Sequence, residues 1–150
     1  MTLERNTGTG EPIGPLGLRV GQRAQRTQNI LARDVELYAQ ITGDRNPLHF
    51  DAAFAARTRF GRLVAQGGIA AGMLNALVAM DLPGAGTVFM SQSLKYLAPT
   101  YLGDTLTAEV EVLSLKADKP VCQLRVGIVN QEGTPILEGE CWTYTLAGGR

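Results

Sequence analysis

The residue types best suited to proton transfer occur together in one short segment, on either side of an Asn-Pro pair. Asp44 supplies a carboxylate, and His49, the only histidine of the sequence, supplies an imidazole. Pro47 disfavours the helical conformation for Asn46, so the segment is predicted to be an ordered loop with a stiff bend. This bend could bring both side chains near one water molecule. Because an imidazole titrates near neutral pH, the pair is suited to general acid–base chemistry.

The same residues also have ordinary structural explanations. A lone histidine beside a proline in a turn is commonly structural or solvated, and an aspartate is common at helix ends and in turns. Asn46 is expected to fix the loop through side-chain hydrogen bonds to the backbone. Spacing alone therefore leaves the catalytic and the structural interpretation of Asp44 and His49 open.

Short helices are predicted on both sides of this loop. Residues 33–41 repeat apolar side chains at helical spacing, and Gly43 offers a C-terminal stop. The predicted apolar face carries Val35, Tyr38 and Ile41. Asp51 is a suitable N-cap for a second short helix over residues 52–56.

Residues 67–80 form the most apolar stretch of the chain and are predicted to be its main helix. Apolar side chains extend most of the way round it, which is typical of a helix buried on nearly all sides. Its small residues let other backbone approach closely. These are Gly68, Ala70, Ala71, Gly72 and Ala76. Residues 81–84 are predicted to end the helix in a turn.

Strand patterns dominate the rest of the chain. A polar segment, 22–30, is predicted to be an edge strand, and four further strands are predicted at 87–97, 105–116, 121–130 and 136–145. Turn signals at residues 117–120 and 131–133 indicate hairpins. In the strand over 105–116, apolar and polar residues alternate, which indicates one buried face. The apolar set is Leu106, Ala108, Val110 and Val112. The economical packing curves an antiparallel sheet around the apolar helix, an α+β arrangement of the hot-dog type.

Composition limits the classes of function. The length of 150 residues, with 45% hydrophobic and 19% charged residues, suits one globular domain. The formal net charge is zero and no basic run occurs, so a nucleic-acid partner is not expected. One histidine is too few for a typical metal site, and no cofactor is predicted. Cys122 and Cys141 are expected to be buried thiols, although they could lie on neighbouring strands.

Residues 1–17 are rich in Thr, Gly and Pro and lack an apolar core. They are predicted to be a flexible arm, and neither a signal peptide nor a membrane anchor, before a single domain over residues 18–150. No apolar run reaches the ~18 residues of a membrane span. These features predict a cytoplasmic protein with no membrane partner.

Residues 43–51 resemble the hydratase motif of the MaoC-like family of R-specific enoyl-CoA hydratases, Gly-Asp-x-Asn-Pro-x-His-x-Asp. Every fixed position is filled, from Gly43-Asp44 to His49 and Asp51. The similarity extends over about residues 18–145. It includes Phe54-Ala55, Leu82-Pro83-Gly84, Ser91-Gln92-Ser93-Leu94, Pro99, Gly103-Asp104 and Asp118-Lys119-Pro120.

The resemblance implies a hot-dog fold, a homodimer or dimer of dimers, and thioesters of CoA or acyl-carrier protein as substrates. It implies syn addition of water to a trans-2-enoyl thioester, giving the R-3-hydroxyacyl product, or the reverse dehydration. Asp44 and His49 would hold the water. The backbone of Ser91, and that of Gly67 or Gly68 at the helix start, would stabilise the thioester oxygen. The glycines are equally compatible with tight helix–sheet packing.

Two positions depart from many relatives. Gln66 stands where a histidine is common, and Gly72 where some relatives have serine. Both changes leave the acid–base pair intact and affect the expected contacts to the thioester or acyl chain. Gln66 can donate and accept hydrogen bonds, but it cannot relay a proton at neutral pH.

Three other functions remain open at this point. A 3-hydroxyacyl-carrier-protein dehydratase would use the same residues, and a basic rim would favour its acidic partner. Candidates for that rim, which also fit a solvated surface, are Arg45, Arg57, Arg59, Arg62 and Lys95. A hot-dog thioesterase needs a carboxylate to activate water, and the apolar helix has none before Asp81. A non-catalytic thioester-binding module is disfavoured by the intact Asp44 and His49.

Overall fold

A computed structural model of the chain describes residues 5–147. In these residues, the segments with alternating apolar patterns form one antiparallel sheet, and those with helical patterns belong to a set of four helices. The helices are α1 (Ala32–Thr42), α2 (Pro47–Phe50), α3 (Ala52–Ala56) and α4 (Gly67–Met80). The strands are β1 (Arg5–Asn6), β2 (Arg23–Asn29), β3 (Thr87–Tyr96), β4 (Thr105–Leu115), β5 (Val121–Val129) and β6 (Pro135–Thr145). The predicted strands and the main helix are confirmed to within one or two residues at each end.

The sheet has the strand order β1-β2-β4-β5-β6-β3, and every neighbouring pair is antiparallel. The β4-β5-β6 run is a meander whose hairpin turns lie where the sequence predicts them. β3 precedes these strands in the chain but pairs at the far side of β6, so it forms one edge of the sheet. At the other edge, the two residues of β1 lie outside β2.

The core lies between α4 and the face of the sheet that faces it. The four alternating apolar residues of β4 are all 0% exposed, as the pattern predicts. Leu74, Leu77 and Val78 of α4 are equally buried and belong to the same cluster. Burying these side chains against each other removes apolar surface from water, which is the main force holding helix and sheet together.

Three details differ from the prediction. Ile41 is 84% exposed, because it lies about a third of a turn from Val35, whereas Ala39, one turn beyond Val35, is buried. The α4 helix is also not buried all round, since Met80 is 66% exposed. Residues 47–50 form a turn of helix inside the segment predicted to be a loop, because proline is favoured at the first helical position.

The N-terminal arm predicted over residues 1–17 begins outside the described residues. Parts of its main chain from Arg5 onward contact the rest of the chain. Arg5–Asn6 pairs with β2, and the N–H of Thr9 donates to the carbonyl of Val20 at 3.3 Å. The flexibility of the arm stays a prediction. None of the helices between residues 5 and 147 is long and apolar enough to span a membrane.

Cys122 and Cys141 are buried, unpaired thiols on the neighbouring strands β5 and β6. Burial raises the pKa of each thiol to about 12, and Cys141 adds a smaller contribution at Cys122. Because the thiolate is the reactive form, we expect neither thiol to react with iodoacetamide in the native protein at neutral pH. Mass spectrometry should find two adducts only after unfolding in guanidinium. An adduct on the native protein would contradict this packing.

Candidate active site

A sharp turn at the C-terminal end of α1 leads into the site. Gly43 has a left-handed backbone, φ 80°, and its N–H donates to the carbonyl of Ala39 at 2.8 Å. This conformation favours glycine because a side chain would meet its own backbone. The turn ends the helix and delivers Asp44 directly beyond it, where the main-chain N–H of Asp44 donates to Thr42 Oγ1 at 3.2 Å.

The Asn-Pro bend is held by a chain of side-chain to backbone hydrogen bonds. Asp44 Oδ1 accepts from the N–H of Asn46 at 3.2 Å. Asn46 Oδ1 in turn accepts from the N–H of Leu48 at 3.1 Å, which makes Asn46 the N-cap of α2, in line with its predicted role in fixing the loop. Pro47 occupies the first helical position. The result is a single helical turn that carries His49 back towards Asp44.

The structure brings Asp44 and His49 together. His49 Nε2 lies 3.6 Å from Asp44 Oδ2. This separation is longer than a hydrogen bond, so the two groups face each other without a direct bond. The His49 side chain is 9% exposed and that of Asp44 is 41% exposed. Water can therefore reach the pair from the Asp44 side.

The other ring nitrogen of His49 is fixed. Nδ1 lies 2.6 Å from the carbonyl oxygen of Val64, in a buried contact. A carbonyl oxygen can only accept, so Nδ1 carries the hydrogen and donates it. The neutral ring then presents the lone pair of Nε2 towards Asp44. This is the orientation that a general base requires.

One extended segment before α4 positions both members of the pair. The carbonyl of Val64 holds the His49 ring, and the N–H of Val64 donates to the carbonyl of Leu48 at 3.1 Å. Gln66, the N-cap of α4, is 2% exposed. Its Nε2 donates to the main-chain carbonyls of Val35, at 3.1 Å, and Asp44, at 3.4 Å. Gln66, predicted to be a substrate contact, thus has its side-chain amide inside the protein.

A cleft of about 310 Å³ is lined by chain neighbours and contacts of His49, although neither Asp44 nor His49 lines it. Its lining includes Leu48, which precedes His49, and Gly67, the first residue of α4. Phe60, Tyr96 and Ile136 add apolar walls suited to an acyl chain. A larger open groove, about 780 Å³, crosses the sheet face away from α4. Of the residues predicted for the site and its basic rim, it includes Lys95, which does not line the smaller cleft.

Two tyrosines lie over the first turn of α4. A Cβ on Gly68 would overlap the Tyr38 hydroxyl, and one on Gly67 would lie 2.8 Å from the Tyr96 ring. Tight packing therefore requires glycine at both positions while the tyrosines stay in place. Partial burial, with a contribution from Tyr38, raises the pKa of Tyr96, so Tyr96 is a neutral phenol at neutral pH. The sequence pattern places Tyr38 only on a core-facing helix face, and no local pattern points to Tyr96.

Gly68→Ala and Gly72→Ala form a matched pair within α4. Alanine is favoured over glycine in a helix interior by about 1 kcal/mol, and nothing lies within 4 Å of a Cβ on Gly72. We expect Gly72→Ala to raise the free energy of unfolding by up to that amount. Gly68→Ala must displace Tyr38, and overpacking typically costs about 1–3 kcal/mol.

Urea unfolding of both variants measures the difference. Tyr38→Ala removes the side chain that a Cβ at position 68 would meet. Tyr38→Ala should therefore lower the free energy of unfolding less in the Gly68→Ala variant than in the parent protein. Equal stabilities of the Gly68→Ala and Gly72→Ala variants would contradict the close contact between Tyr38 and Gly68.

The other predicted site residues lie apart from the pair. Ser91 is exposed on the edge strand β3, just after a register shift between Phe89 and Ser91, and its side chain makes no hydrogen bond within residues 5–147. Gly72 is exposed on α4. Within the described part of this single chain, neither residue lines the cleft beside His49.

Four of the arginines predicted for a basic rim, at positions 45, 57, 59 and 62, belong to the same part of the chain as His49. Arg45 donates to both carboxylate oxygens of Glu36, at 2.8 and 3.3 Å, and lowers the pKa of that carboxyl group. Arg57, Arg59 and Arg62 form no salt bridge within residues 5–147 and instead lie over aromatic rings, 3.9 to 5.8 Å from the ring centres. Their guanidinium groups are therefore available to an anion.

The chain is similar to known proteins in both sequence and structure. The model of the MaoC like domain matches residues 17–139. A curated (R)-specific enoyl-CoA hydratase of Aeromonas caviae is 41% identical over 123 residues, which cover 82% of this chain and 92% of that protein. A mitochondrial 3-hydroxyacyl-[acyl-carrier-protein] dehydratase of Solanum lycopersicum is 30% identical, covering 82% of this chain and 74% of the relative.

The solved structure of an (R)-hydratase from A. caviae involved in PHA biosynthesis superposes with a TM-score of 0.83 at 39% identity. It covers 86% of this chain and 98% of the other. The α+β fold predicted from the sequence, a curved antiparallel sheet around one apolar helix, is confirmed. The chain is a member of the MaoC-like domain family and has its hot-dog fold.

Proposed function

We propose that this protein catalyses the R-specific hydration of trans-2-enoyl thioesters, and the reverse dehydration, with Asp44 and His49 as the acid–base pair. One observation carries the proposal: Nε2 of His49 and Oδ2 of Asp44 face each other at 3.6 Å, while Nδ1 is held by Val64. Val64 and Leu48, the residue before His49, line the apolar cleft. The relatives named as hydratases and dehydratases act on the same substrate class.

The proposed reaction begins with one water molecule held by the Asp44 and His49 side chains. A water molecule that donates one hydrogen bond to the carboxylate and one to the imidazole is oriented by both. As its oxygen attacks C3 of the enoyl thioester, His49 Nε2 takes one water proton, and the pair delivers a proton to C2. Because the two protons pass through one coupled pair, the transfers are shared between the residues. Dehydration uses the same steps in reverse.

Charge that moves onto the thioester oxygen during attack needs hydrogen-bond donors. Gly67 and Gly68 begin α4, where the N–H groups precede the first intrahelical hydrogen bonds and the helix dipole favours negative charge. Gly67 lines the cleft. We assign the oxyanion contact to this helix start. Each such donor is typically worth about 3–4 kcal/mol of transition-state stabilisation.

A second copy of the chain is proposed to complete the pocket. β3 is an edge strand with Val88 and Met90 47% and 60% exposed, and exposed apolar side chains on an edge strand favour pairing with another chain. Ser91 lies on the same strand, so its backbone contact to substrate is assigned to the dimer. Dimers, or dimers of dimers, should appear in sedimentation analysis at assay concentrations.

The thioester is proposed to be carried on CoA, in the cytoplasm. Arg57, Arg59 and Arg62 lack carboxylate partners among the described residues, and Arg59 lines the cleft beside His49. Guanidinium groups bind phosphate with several hydrogen bonds at once. The same charges would also attract an acidic carrier protein, which keeps a carrier-protein dehydratase as the second candidate.

A truncated substrate tests whether the arginines bind the phosphates of CoA. Crotonyl-pantetheine lacks the phosphates of crotonyl-CoA. We expect Arg59→Ala and Arg62→Ala to raise KM for crotonyl-CoA several-fold and to leave KM for crotonyl-pantetheine unchanged, because the lost contacts are to phosphate. Lys119→Ala, in the turn between β4 and β5, serves as the control for general loss of charge. Equal KM changes for both substrates would contradict phosphate binding, and a preference for crotonyl-carrier protein would favour the second candidate.

The function itself is tested by the ultraviolet absorbance of the enoyl thioester. The protein should remove this absorbance from crotonyl-CoA and longer enoyl-CoA thioesters without releasing a free thiol. Release of free CoA would indicate a thioesterase instead. Binding of the thioester with no change in absorbance would indicate a non-catalytic module.

A further inference from the structure

Gln66 is a buried amide at the point where α4, α1 and the segment just after α1 meet. Its side chain extends from the N-cap position of α4 to the carbonyl of Val35 on α1 and to the carbonyl of Asp44 just beyond α1. Both partners are acceptors. The amide orientation is therefore settled, because Oε1 in the same place would face two carbonyl oxygens.

The protein contacts of this amide are all made by Nε2. Oε1 is buried and accepts from no protein group in the described part of the chain. An apolar side chain of similar size would fill the space without leaving an acceptor unsatisfied, so packing alone does not explain an amide here. What the amide adds is a pair of hydrogen bonds that tie Asp44 to α1 and α4.

Asp44 needs this support because its other contacts are local. Its N–H donates to Thr42 Oγ1 and its Oδ1 accepts from Asn46, both within two residues along the chain. His49, in contrast, is fixed to Val64, which is fifteen residues away. Gln66 is two residues beyond Val64. The short segment 64–66 therefore holds both the His49 ring and the main chain of Asp44.

We propose that Gln66 is a positioning residue that sets the distance between Asp44 and His49 at which they share one water molecule. The inference rests on the proposed function, since it assigns how that pair is held. Gln66 acts through the main chain of Asp44 and does not touch the reacting atoms. A shift of about 1 Å at a catalytic group can cost roughly 100-fold in rate, so losing the two hydrogen bonds should be visible in kcat.

The test replaces Gln66 by methionine, which is unbranched and of similar length but donates no hydrogen bond. We expect kcat for crotonyl-CoA hydration to fall about 10- to 100-fold with KM nearly unchanged, because substrate contacts remain. Gln66→His, whose ring N–H can donate to one of the two carbonyls, should retain most of the rate. Thr143→Val removes another buried hydrogen bond, from Thr143 Oγ1 to the Cys122 carbonyl on the sheet, and should leave kcat unchanged.

A second measurement does not depend on activity. His49 is the only histidine, so its imidazole gives a single resolved NMR signal. This signal should move in Gln66→Met in the same direction as in Asp44→Asn, and stay in place in Thr143→Val. If the parent protein does not hydrate crotonyl-CoA, the proposed function fails and the NMR comparison alone decides the role of Gln66. A folded Gln66→Met variant, or Gln66→Leu if the former does not fold, with the parental His49 signal would overturn the proposal. So would a kcat equal to that of an active parent.

Discussion

His49→Ala should lower kcat for crotonyl-CoA hydration by about 10²–10⁴-fold, the usual contribution of a general base. The imidazole supplies Nε2, the basic nitrogen that faces the Asp44 carboxylate, and no other histidine can replace it. Asp44→Asn should cause a loss of similar size, because an amide cannot exchange a proton. Initial rates of absorbance loss measure both effects.

The Asp44→Asn change is conservative for the fold. An amide oxygen can still accept from the N–H of Asn46, so the bend before α2 is expected to survive. Asp118→Asn, in the exposed turn between β4 and β5, is the matched control and should keep the parental rate. Parental rates in folded His49→Ala and Asp44→Asn variants would remove the basis of the mechanism.

Gly139→Ala should cause the largest loss of stability among single substitutions at the glycines of the sheet. A Cβ on Gly139 of β6 would overlap the carbonyl oxygen of Ser93 on β3. That neighbour is backbone, so no side chain can rotate away and the two strands must separate. We expect the free energy of unfolding to fall by at least the ~1–3 kcal/mol typical of overpacking, with loss of activity because β3 also carries Ser91.

Gly127→Ala is the matched control for this effect. Gly127 lies in the middle of β5, and its nearest neighbour to a Cβ is the Leu137 carbonyl oxygen at 3.7 Å, an ordinary contact. Its stability should change by less than about 1 kcal/mol. Urea unfolding of the two variants gives the comparison, and similar stabilities would contradict the close approach of β3 to Gly139.

Local patterns predicted the elements of the fold well. Alternation in β4 marked its buried face, and the glycine at position 43 marked the end of α1 through its left-handed backbone. Asp51 was predicted to be the N-cap of the short helix after the loop, and its side chain accepts from the N–H of Phe54 at 2.9 Å. Each of these features depends on residues that are close in sequence.

Features that depend on distant residues were less accessible. The pairing of β3 with β6 joins segments that are far apart in the chain, and no local pattern specifies it. The Gln66 contacts with Val35 and Asp44 span 31 and 22 residues. The one signal for them in the sequence was a polar residue directly before an apolar helix. Ile41 shows that a local pattern can also mislead. An apolar residue near a helix end need not face the core.

The proximity of Asp44 and His49 could be predicted only in part from the local sequence. The Asn-Pro bend suggested that Asp44 and His49 approach each other, and the structure has them 3.6 Å apart. The tautomer of His49 could not be inferred, because it depends on the carbonyl of Val64. Recognition of the family motif supplied the chemistry that spacing left open.

The central claim is that one acid–base pair, on one face of the double bond, handles both protons. Hydration of crotonyl-CoA in D₂O tests it most directly, with NMR and chiral analysis of the product. We predict 3-hydroxybutyryl-CoA of R configuration at C3, with one deuterium at C2 on the same face as the new hydroxyl group. An S product, or deuterium on the opposite face, would contradict the pairing of Asp44 with His49 at a single water molecule.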